Sequence, residues 1–142
     1  MLLKRRTLAI VLITVIALPI VAWIAYYQIN APNVKITAFN WIRGFNPYGG
    51  LTFINEVKVT VENHGINEIS GITLTVKLLN NGTEIDNYSA FVTQIETLNA
   101  GESREISGNI FWGLLSTKVT HRVCTLKLGD IVLDEWIKPF TN

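Results

Sequence analysis

Chemically reactive side chains are scarce in this sequence, which has one cysteine, one methionine and two histidines. A lone cysteine, Cys124, excludes a scaffold of intrachain disulfides. His121 and Cys124 are three residues apart in a predicted strand, so we expect them on opposite faces and not at one metal ion. His64 falls in a predicted turn without an orienting partner. We therefore expect no catalytic residue, no metal site and no other cofactor.

Charge is also sparse, because charged residues make up 16% of the chain and the formal net charge is +1. This near-balance gives no concentrated basic surface for nucleic acid. The apolar share of 49% excludes intrinsic disorder. Asp134 and Glu135 are adjacent in a predicted strand and should point to opposite faces, which favours a solvated rim over a catalytic pair.

The N-terminal segment contains a long run without charge, from Leu8 to Tyr27. As a helix it would be about 30 Å long, which matches the hydrocarbon core of a bilayer. Trp23, Tyr26 and Tyr27 gather at its C-terminal end, where amphipathic rings favour the membrane interface.

Three interpretations compete for this segment: a cleaved signal peptide, a buried core helix and a retained signal anchor. The run is long for a signal peptide and lacks small residues at a suitable cleavage position. A small domain rarely buries a helix that is apolar all round. We therefore predict a cytoplasmic basic flank at 1–6 and a transmembrane signal anchor at 7–28, within the lipid bilayer of the cell membrane. Lys4, Arg5 and Arg6 place the N-terminus inside and residues 33–142 outside.

From Asn33 onward, apolar and polar residues alternate with a period of two, which predicts half-buried strands. Turn residues separate the runs at 63–65, 80–82 and 99–101, and Gly129-Asp130 suits a hairpin. The stretch at 86–96 reads as a linker. The pattern predicts an all-β fold, an immunoglobulin-like β-sandwich of seven or eight strands, preceded by one N-terminal transmembrane helix. The expected core includes Val57, Val59, Val61, Leu74, Val76 and Ile110.

Three turns in the β-region carry a family resemblance. They are Asn63 with Gly65, Asn81 with Gly82, and the group Leu98, Gly101 and Glu102. In these features the chain resembles the small Ig-like modules of prokaryotic surface proteins, of the FxLYD and CARDB types. The resemblance implies a sandwich without catalytic residues.

The stretch Phe39–Gly50 reads as a loop that concentrates aromatic residues among turn formers. Trp41, Arg43, Phe45 and Tyr48 are candidate anchors for a partner, since exposed aromatics and arginine are favoured at interfaces. The alternatives are contact with lipid headgroups and burial of an aromatic at the end of the sandwich. Asn81 and Asn87 begin N-x-Ser/Thr sequons and are candidate glycosylation sites.

These observations predict a membrane-anchored binding or structural module outside the cell. Its predicted partner is another surface or membrane protein, and a homo-oligomer is compatible with the sequence. The alternative is a pilin-like or archaellum-associated subunit, either of a filament or of a stator. The basic leader favours that alternative. The absence of Gly or Ala at Thr7-Leu8 and of an early glutamate opposes a filament subunit.

Overall fold

The computed structural model describes residues 2–42, 44, 52–85, 88–113 and 118–140. The chain divides into two compact units, residues 1–31 and residues 32–142. The first unit consists of a single helix, α1 (Leu2–Asn30). The helix begins before and ends after the predicted transmembrane segment, residues 7–28.

The apolar part of helix α1 is exposed over its described window. Its window Ile13–Asn30 has a mean hydropathy of 1.5, and none of that window is buried. Trp23 and Tyr27 are 65% and 68% exposed, with ring centroids 5.7 Å apart. Pro19 lies within the helix and does not end it. The helix is thus long and apolar enough to cross a membrane, as the sequence predicts.

The described part of the second unit contains nine antiparallel strands. In chain order they are β1 (Val34–Ile42), β2 (Thr52–Asn63), β3 (Ile69–Asn80), β4 (Thr83–Glu84), β5 (Tyr88–Ser89), β6 (Phe91–Leu98), β7 (Ser103–Gly113), β8 (His121–Leu128) and β9 (Ile131–Pro139).

The strands form two sheets, which confirms the predicted sandwich. The first sheet has the order β1-β2-β7-β5. In the second sheet β3 pairs with β8 on one side and with β4 and β6 on the other, and β9 follows β8. Gly129, with a φ of 58°, forms the predicted hairpin turn between β8 and β9.

Alternation along the strands builds the core between the two sheets. The six residues predicted to point inward are all fully buried. Full burial of a Val or Leu side chain contributes about 1.5–3 kcal/mol, so these six residues supply much of the driving force for folding. The cluster is completed by further buried side chains, namely Val34, Ile36, Phe39, Ile72, Leu78, Ile85, Ile95, Leu98, Val119, Cys124 and Leu126.

Two segments differ from the sequence-based expectation. Phe39 and Trp41 belong to β1 and not to a loop, and Phe39 is only 4% exposed. The stretch read as a linker contains β6, whose Ile95 is buried against the core. In β1 a register irregularity between Ile36 and Ala38 interrupts the alternation before Phe39, and in β6 polar residues resemble a connection. Pairing with a neighbouring strand decides the structure in both places.

Asn63 joins two turns at one end of the sandwich, the one that follows it and the one that follows Leu98. Its side-chain Nδ2 donates to the carbonyls of Asn67 and Leu98 at 2.8 and 3.1 Å, and its Oδ1 accepts from the Gly65 amide at 2.9 Å. The side chain is buried, with 1% exposure of the residue, and these bonds satisfy its polar atoms.

The neighbouring turn is held by Glu102. Its carboxylate accepts from the backbone and side-chain nitrogens of Asn99 and from the Arg104 guanidinium. The backbone bond from Asn99, followed by the bond from Arg104, lowers the pKa of Glu102. A carboxyl group with a lowered pKa stabilises the fold while ionised, so this contribution is lost as the pH falls through that lowered value.

Two side chains of β9 hold the edge of the other sheet. The Asp134 carboxylate accepts a hydrogen bond from the Ile36 amide at 2.8 Å, and the Lys138 ammonium donates to the Phe39 carbonyl at 2.9 Å. These bonds satisfy backbone groups on β1, an edge strand that would otherwise present them to another chain. Asp134 is therefore not part of a solvated rim, since its side chain is 19% exposed and bridges the two sheets.

Replacing Asp134 with alanine should lower the free energy of unfolding by about 1–3 kcal/mol, because the Ile36 amide loses its acceptor in a partly buried site. Glu135→Ala is the matched control, since Glu135 points outward and contacts only the Thr125 hydroxyl among the bonds of the described residues. Urea unfolding of the two variants checks this, and equal losses would show that the β1–β9 contact is unimportant.

Candidate interaction surface at one end of the sandwich

Arg122 lies between two aromatic rings where β1, β8 and β9 end or begin. Its guanidinium carbon is 5.4 Å from the Trp41 ring centroid and 5.2 Å from that of Phe140. The two rings meet edge to face with centroids 6.0 Å apart. Both distances to Arg122 are within the range of attraction between a cation and a ring face. All three residues are half-buried, so each keeps part of its surface in contact with water.

A second cation lies beside this group. The Lys138 ammonium is 5.0 Å from the Trp136 ring centroid and 5.8 Å from that of Phe39. We call the set of Phe39, Trp41, Arg122, Trp136, Lys138 and Phe140 the cationic-aromatic rim. Strand β1 supplies two of its residues, and the β8–β9 hairpin with the residue that follows supplies the other four.

Neither cation of the rim forms an ion pair with a carboxylate among the residues that the structure describes. Arg122 donates through Nη2 to the Pro139 carbonyl at 3.1 Å, and its Nε is buried without a hydrogen-bond partner. Burial lowers the pKa of Arg122, although an arginine remains charged at any physiological pH. The rim therefore presents positive charge and ring faces together, a combination suited to carboxylates and aromatic groups of a partner.

One of the four candidate anchors, Trp41, lies among the residues that the structure describes. Trp41 packs against the core while part of it stays accessible, and its role as an anchor stays a prediction. Arg43, Phe45 and Tyr48 lie outside the described residues.

The first of the two glycosylation candidates lies in an exposed turn. Asn81 has a φ of 47° and is followed by Gly82 with a φ of 87°, between β3 and β4. The backbone amide of Asn81 donates to the Thr120 hydroxyl at 2.8 Å, and the residue is exposed. Asn87 lies outside the described residues. Glycosylation remains a prediction at both positions.

The residues with reactive side chains are apart from one another. Cys124 points into the core with no exposed surface, while His121 is half-buried and its Nδ1 is 3.0 Å from the Thr120 hydroxyl. His64 is near Glu62, with 3.8 Å between Nδ1 and Oε1. Within the described ranges no three His, Cys, Asp or Glu side chains form a group that could hold a metal ion.

Burial raises the pKa of the Cys124 thiol to about 12, and the Asp134 charge adds to the shift. At pH 8 we therefore expect a thiol reagent to label the folded protein slowly and the urea-unfolded protein at the rate of a free cysteine, because only the thiolate reacts. Mass spectrometry of timed samples measures both rates. Rapid stoichiometric labelling of the folded protein would contradict the described burial.

Sequence reasoning missed Arg122, Lys138, Trp136 and Phe140 as members of this site. The available signal was parity, since Arg122 has the inward parity of Cys124 and Leu126 on β8. A basic residue at a core position near a strand end is a sign of a cation held over buried rings.

The fold and the rim together define an antiparallel β-sandwich with a partly accessible cationic-aromatic end. The sequence matches no family model and no curated protein sequence. Among solved structures, the chain is similar to a β-glucuronidase of glycoside hydrolase family 2, with a TM-score of 0.59 and 13% identity over 75% of this chain. It is similar to a Bacteroides fragilis protein assigned as a β-galactosidase, with a TM-score of 0.56 and 14% identity over 75% of this chain.

These similarities cover only 12% and 17% of the two larger chains. At such identities they show a shared sandwich fold and nothing about activity. The chain thus corresponds to a small part of each enzyme.

Proposed function

We propose that this protein is a membrane-anchored module with a binding or structural role and no catalytic activity. Residues 1–6 lie in the cytoplasm, residues 7–28 of α1 cross the membrane, and an Ig-like sandwich lies outside the cell. The observation that carries the proposal is the helix, which is apolar and exposed along its described window, and the β-unit contributes a buried core of its own. The cluster of Lys4, Arg5 and Arg6 supports the orientation.

Three turns support a relationship to the FxLYD and CARDB types of Ig-like module. Asn63 closes its own turn onto Asn67 and ties it to Leu98, and Asn81-Gly82 adopts the positive φ angles of a tight turn. Glu102 closes the third turn onto Asn99. The residues that carry the resemblance in the sequence thus have definite structural roles.

The cationic-aromatic rim supports a protein partner for this module. Its cations lack carboxylate partners within the described residues, and Trp41, Trp136 and Phe140 keep accessible surface. We place partner contact there because arginine and aromatic residues contribute disproportionately to protein interfaces. The partner is a surface or membrane protein that offers acidic or aromatic groups.

Partner capture by tagged full-length protein from detergent extracts tests the binding role. Changing Arg122 and Lys138 together to methionine should reduce capture about thirtyfold or more, since the loss of even one hot-spot residue costs at least about 2 kcal/mol. Lys58→Met is the control, because Lys58 pairs with Glu56 away from the rim. Near-ultraviolet circular dichroism verifies folding. Loss of capture on replacing His64, His121 or Cys124 with alanine in a folded protein would instead favour a metal or catalytic site.

A pilin-like or archaellum-associated subunit is the second candidate, because the described chain pairs an N-terminal apolar helix with a β-sandwich. N-terminal mass spectrometry of protein extracted from membranes separates the two candidates. Intact residues 1–6 support the anchor, whereas their removal would support a processed filament subunit.

A further inference from the structure

The two most exposed large apolar side chains of the described β-unit lie in turns or directly beside them. Ile131 is 65% exposed and is the first residue of β9, directly after the hairpin turn from β8. Ile66 is 63% exposed and lies in the turn between β2 and β3. The other exposed large apolar residues of this unit are less exposed, namely Ile42, Val92, Phe111, Val132 and Ile137.

The turn that contains Ile66 is tied to the start of the β-unit. Asn33 directly precedes β1, and its carbonyl accepts a hydrogen bond from the His64 amide at 2.8 Å. Ile66 is two residues after His64 in the same turn. This apolar tip is therefore held next to the point where the chain enters the sandwich.

Ile131 lies at the same end, on the other side of β1. The Asp134 carboxylate of β9 accepts from the Ile36 amide, and farther along both strands Lys138 donates to the Phe39 carbonyl. The two strands thus run in the same direction. Since Ile131 is three residues before Asp134, and Asn33 three before Ile36, Ile131 is level with Asn33. We call this end, with Asn33 and the turns at 64–68 and 129–130, the entry end.

The covalent path from α1 to the entry end is short. The helix ends at Asn30, and three residues allow at most about 11 Å between Asn30 and Asn33. The predicted membrane segment ends two residues earlier, at residue 28. The headgroup layer on each side of the hydrocarbon core is about 5–8 Å thick, so both turns are within reach of it.

We propose that Ile66 and Ile131 insert into the headgroup layer of the membrane that α1 crosses, so that the entry end rests on lipid. The inference rests on the anchor of the proposed function. Two apolar tips alone bind a lipid surface weakly, but a tether of a few residues keeps them at a high effective concentration beside it.

The charges at the entry end favour a zwitterionic lipid surface over an anionic one. Glu68 and Asp130 are exposed beside the two tips and form no ion pair among the described residues. Their carboxylates oppose attraction to anionic headgroups, so the contact is apolar. Trp41 of the cationic-aromatic rim lies seven residues along β1 from Val34, about 23 Å away. Contact at the entry end therefore leaves the rim accessible to a partner protein.

Fluorescence quenching in reconstituted full-length protein tests this contact. In phosphatidylcholine vesicles, a thiol-reactive dye at Ile66→Cys or Ile131→Cys should be quenched by lipid spin-labelled near its headgroup at least about threefold more than at Asn109→Cys, because apolar groups at an interface lie about 5–10 Å deep. Asn109 is exposed on β7, six positions after Ser103. The unaltered chain controls for labelling of Cys124, which is buried.

The same dye at Ile24→Cys in α1 separates failure of this inference from failure of the anchor. Strong quenching at Ile24, with no more quenching at the two tips than at Asn109, would overturn the inference and leave the anchor in place. Quenching at Ile24 as weak as that at Asn109 would show that the anchor is wrong, and the inference would fall with it.

A dye at Glu68→Cys tests whether the isoleucines themselves make the contact. Changing Ile66 and Ile131 together to serine should reduce quenching at this position about twofold or more, because the apolar tips that hold the turn in the headgroup layer are lost. Both side chains are exposed, so the fold is retained. Unchanged quenching in the double serine variant would overturn the inference.

Discussion

Replacing Asn63 with alanine is expected to lower the free energy of unfolding by about 3–5 kcal/mol, because buried polar groups left without partners cost about 1–3 kcal/mol each. The change removes the partners of the Leu98 and Asn67 carbonyls and of the Gly65 amide. The backbone at Asn63 also pairs with Glu102 and Gly101, so the loosened turns include the one that Glu102 holds. Such a loss is a large part of the stability of an ordinary domain, which is about 5–15 kcal/mol.

Asn63→Asp separates hydrogen bonding from size, because the carboxylate keeps the shape but cannot donate to the two carbonyls. We expect it to destabilise at least as much as alanine, since it also buries a charge. Asn109→Ala is the control, because Asn109 is exposed on β7. Urea unfolding of the full chain in detergent, followed by near-ultraviolet circular dichroism, measures all three. A loss at Asn63 no greater than that at Asn109 would contradict the role of the buried amide.

A charge at Leu74 is expected to abolish folding of the β-unit. Leu74 has no exposed surface and faces the core between the sheets, so Leu74→Asp buries a carboxylate without a partner. A penalty above about 4 kcal/mol is expected for such a change, and it leaves no cooperative transition in urea.

The matched control is the neighbouring residue on the same strand. Thr75 points to the opposite, outer face of β3, so Thr75→Asp should retain a cooperative transition within about 1 kcal/mol of the unaltered chain. Comparable damage from the two substitutions would mean that the register of β3 is wrong.

The sequence predicts strands with regular alternation better than strands with mixed patterns. Val57, Val59 and Val61 alternate with polar residues over a whole strand, and this periodicity alone defines their burial. Strand β6 has Glu96 and Gln94 among its apolar residues, and its pairing with β3 is a tertiary contact that no local pattern reveals.

The candidate site is less predictable than the fold, because it joins residues distant in sequence. Trp41 was a candidate on composition, but its contacts with Arg122 and Phe140 depend on how β1 meets the β8–β9 hairpin. Asp134 shows the same limit. Its adjacency to Glu135 in the sequence predicted a solvent-exposed position, whereas in the structure its carboxylate accepts from the Ile36 amide, 98 positions away in the chain.

The central claim is that the apolar helix anchors the protein in the membrane with the β-unit outside. Protease added to intact spheroplasts, with a tag at each end of the full chain, tests this most directly. The account predicts loss of the C-terminal tag and of the β-unit, while a small fragment with the N-terminal tag survives in the membrane pellet after alkaline carbonate extraction. Protection of the β-unit in intact spheroplasts, with digestion only after lysis, would contradict it and place the sandwich in the cytoplasm.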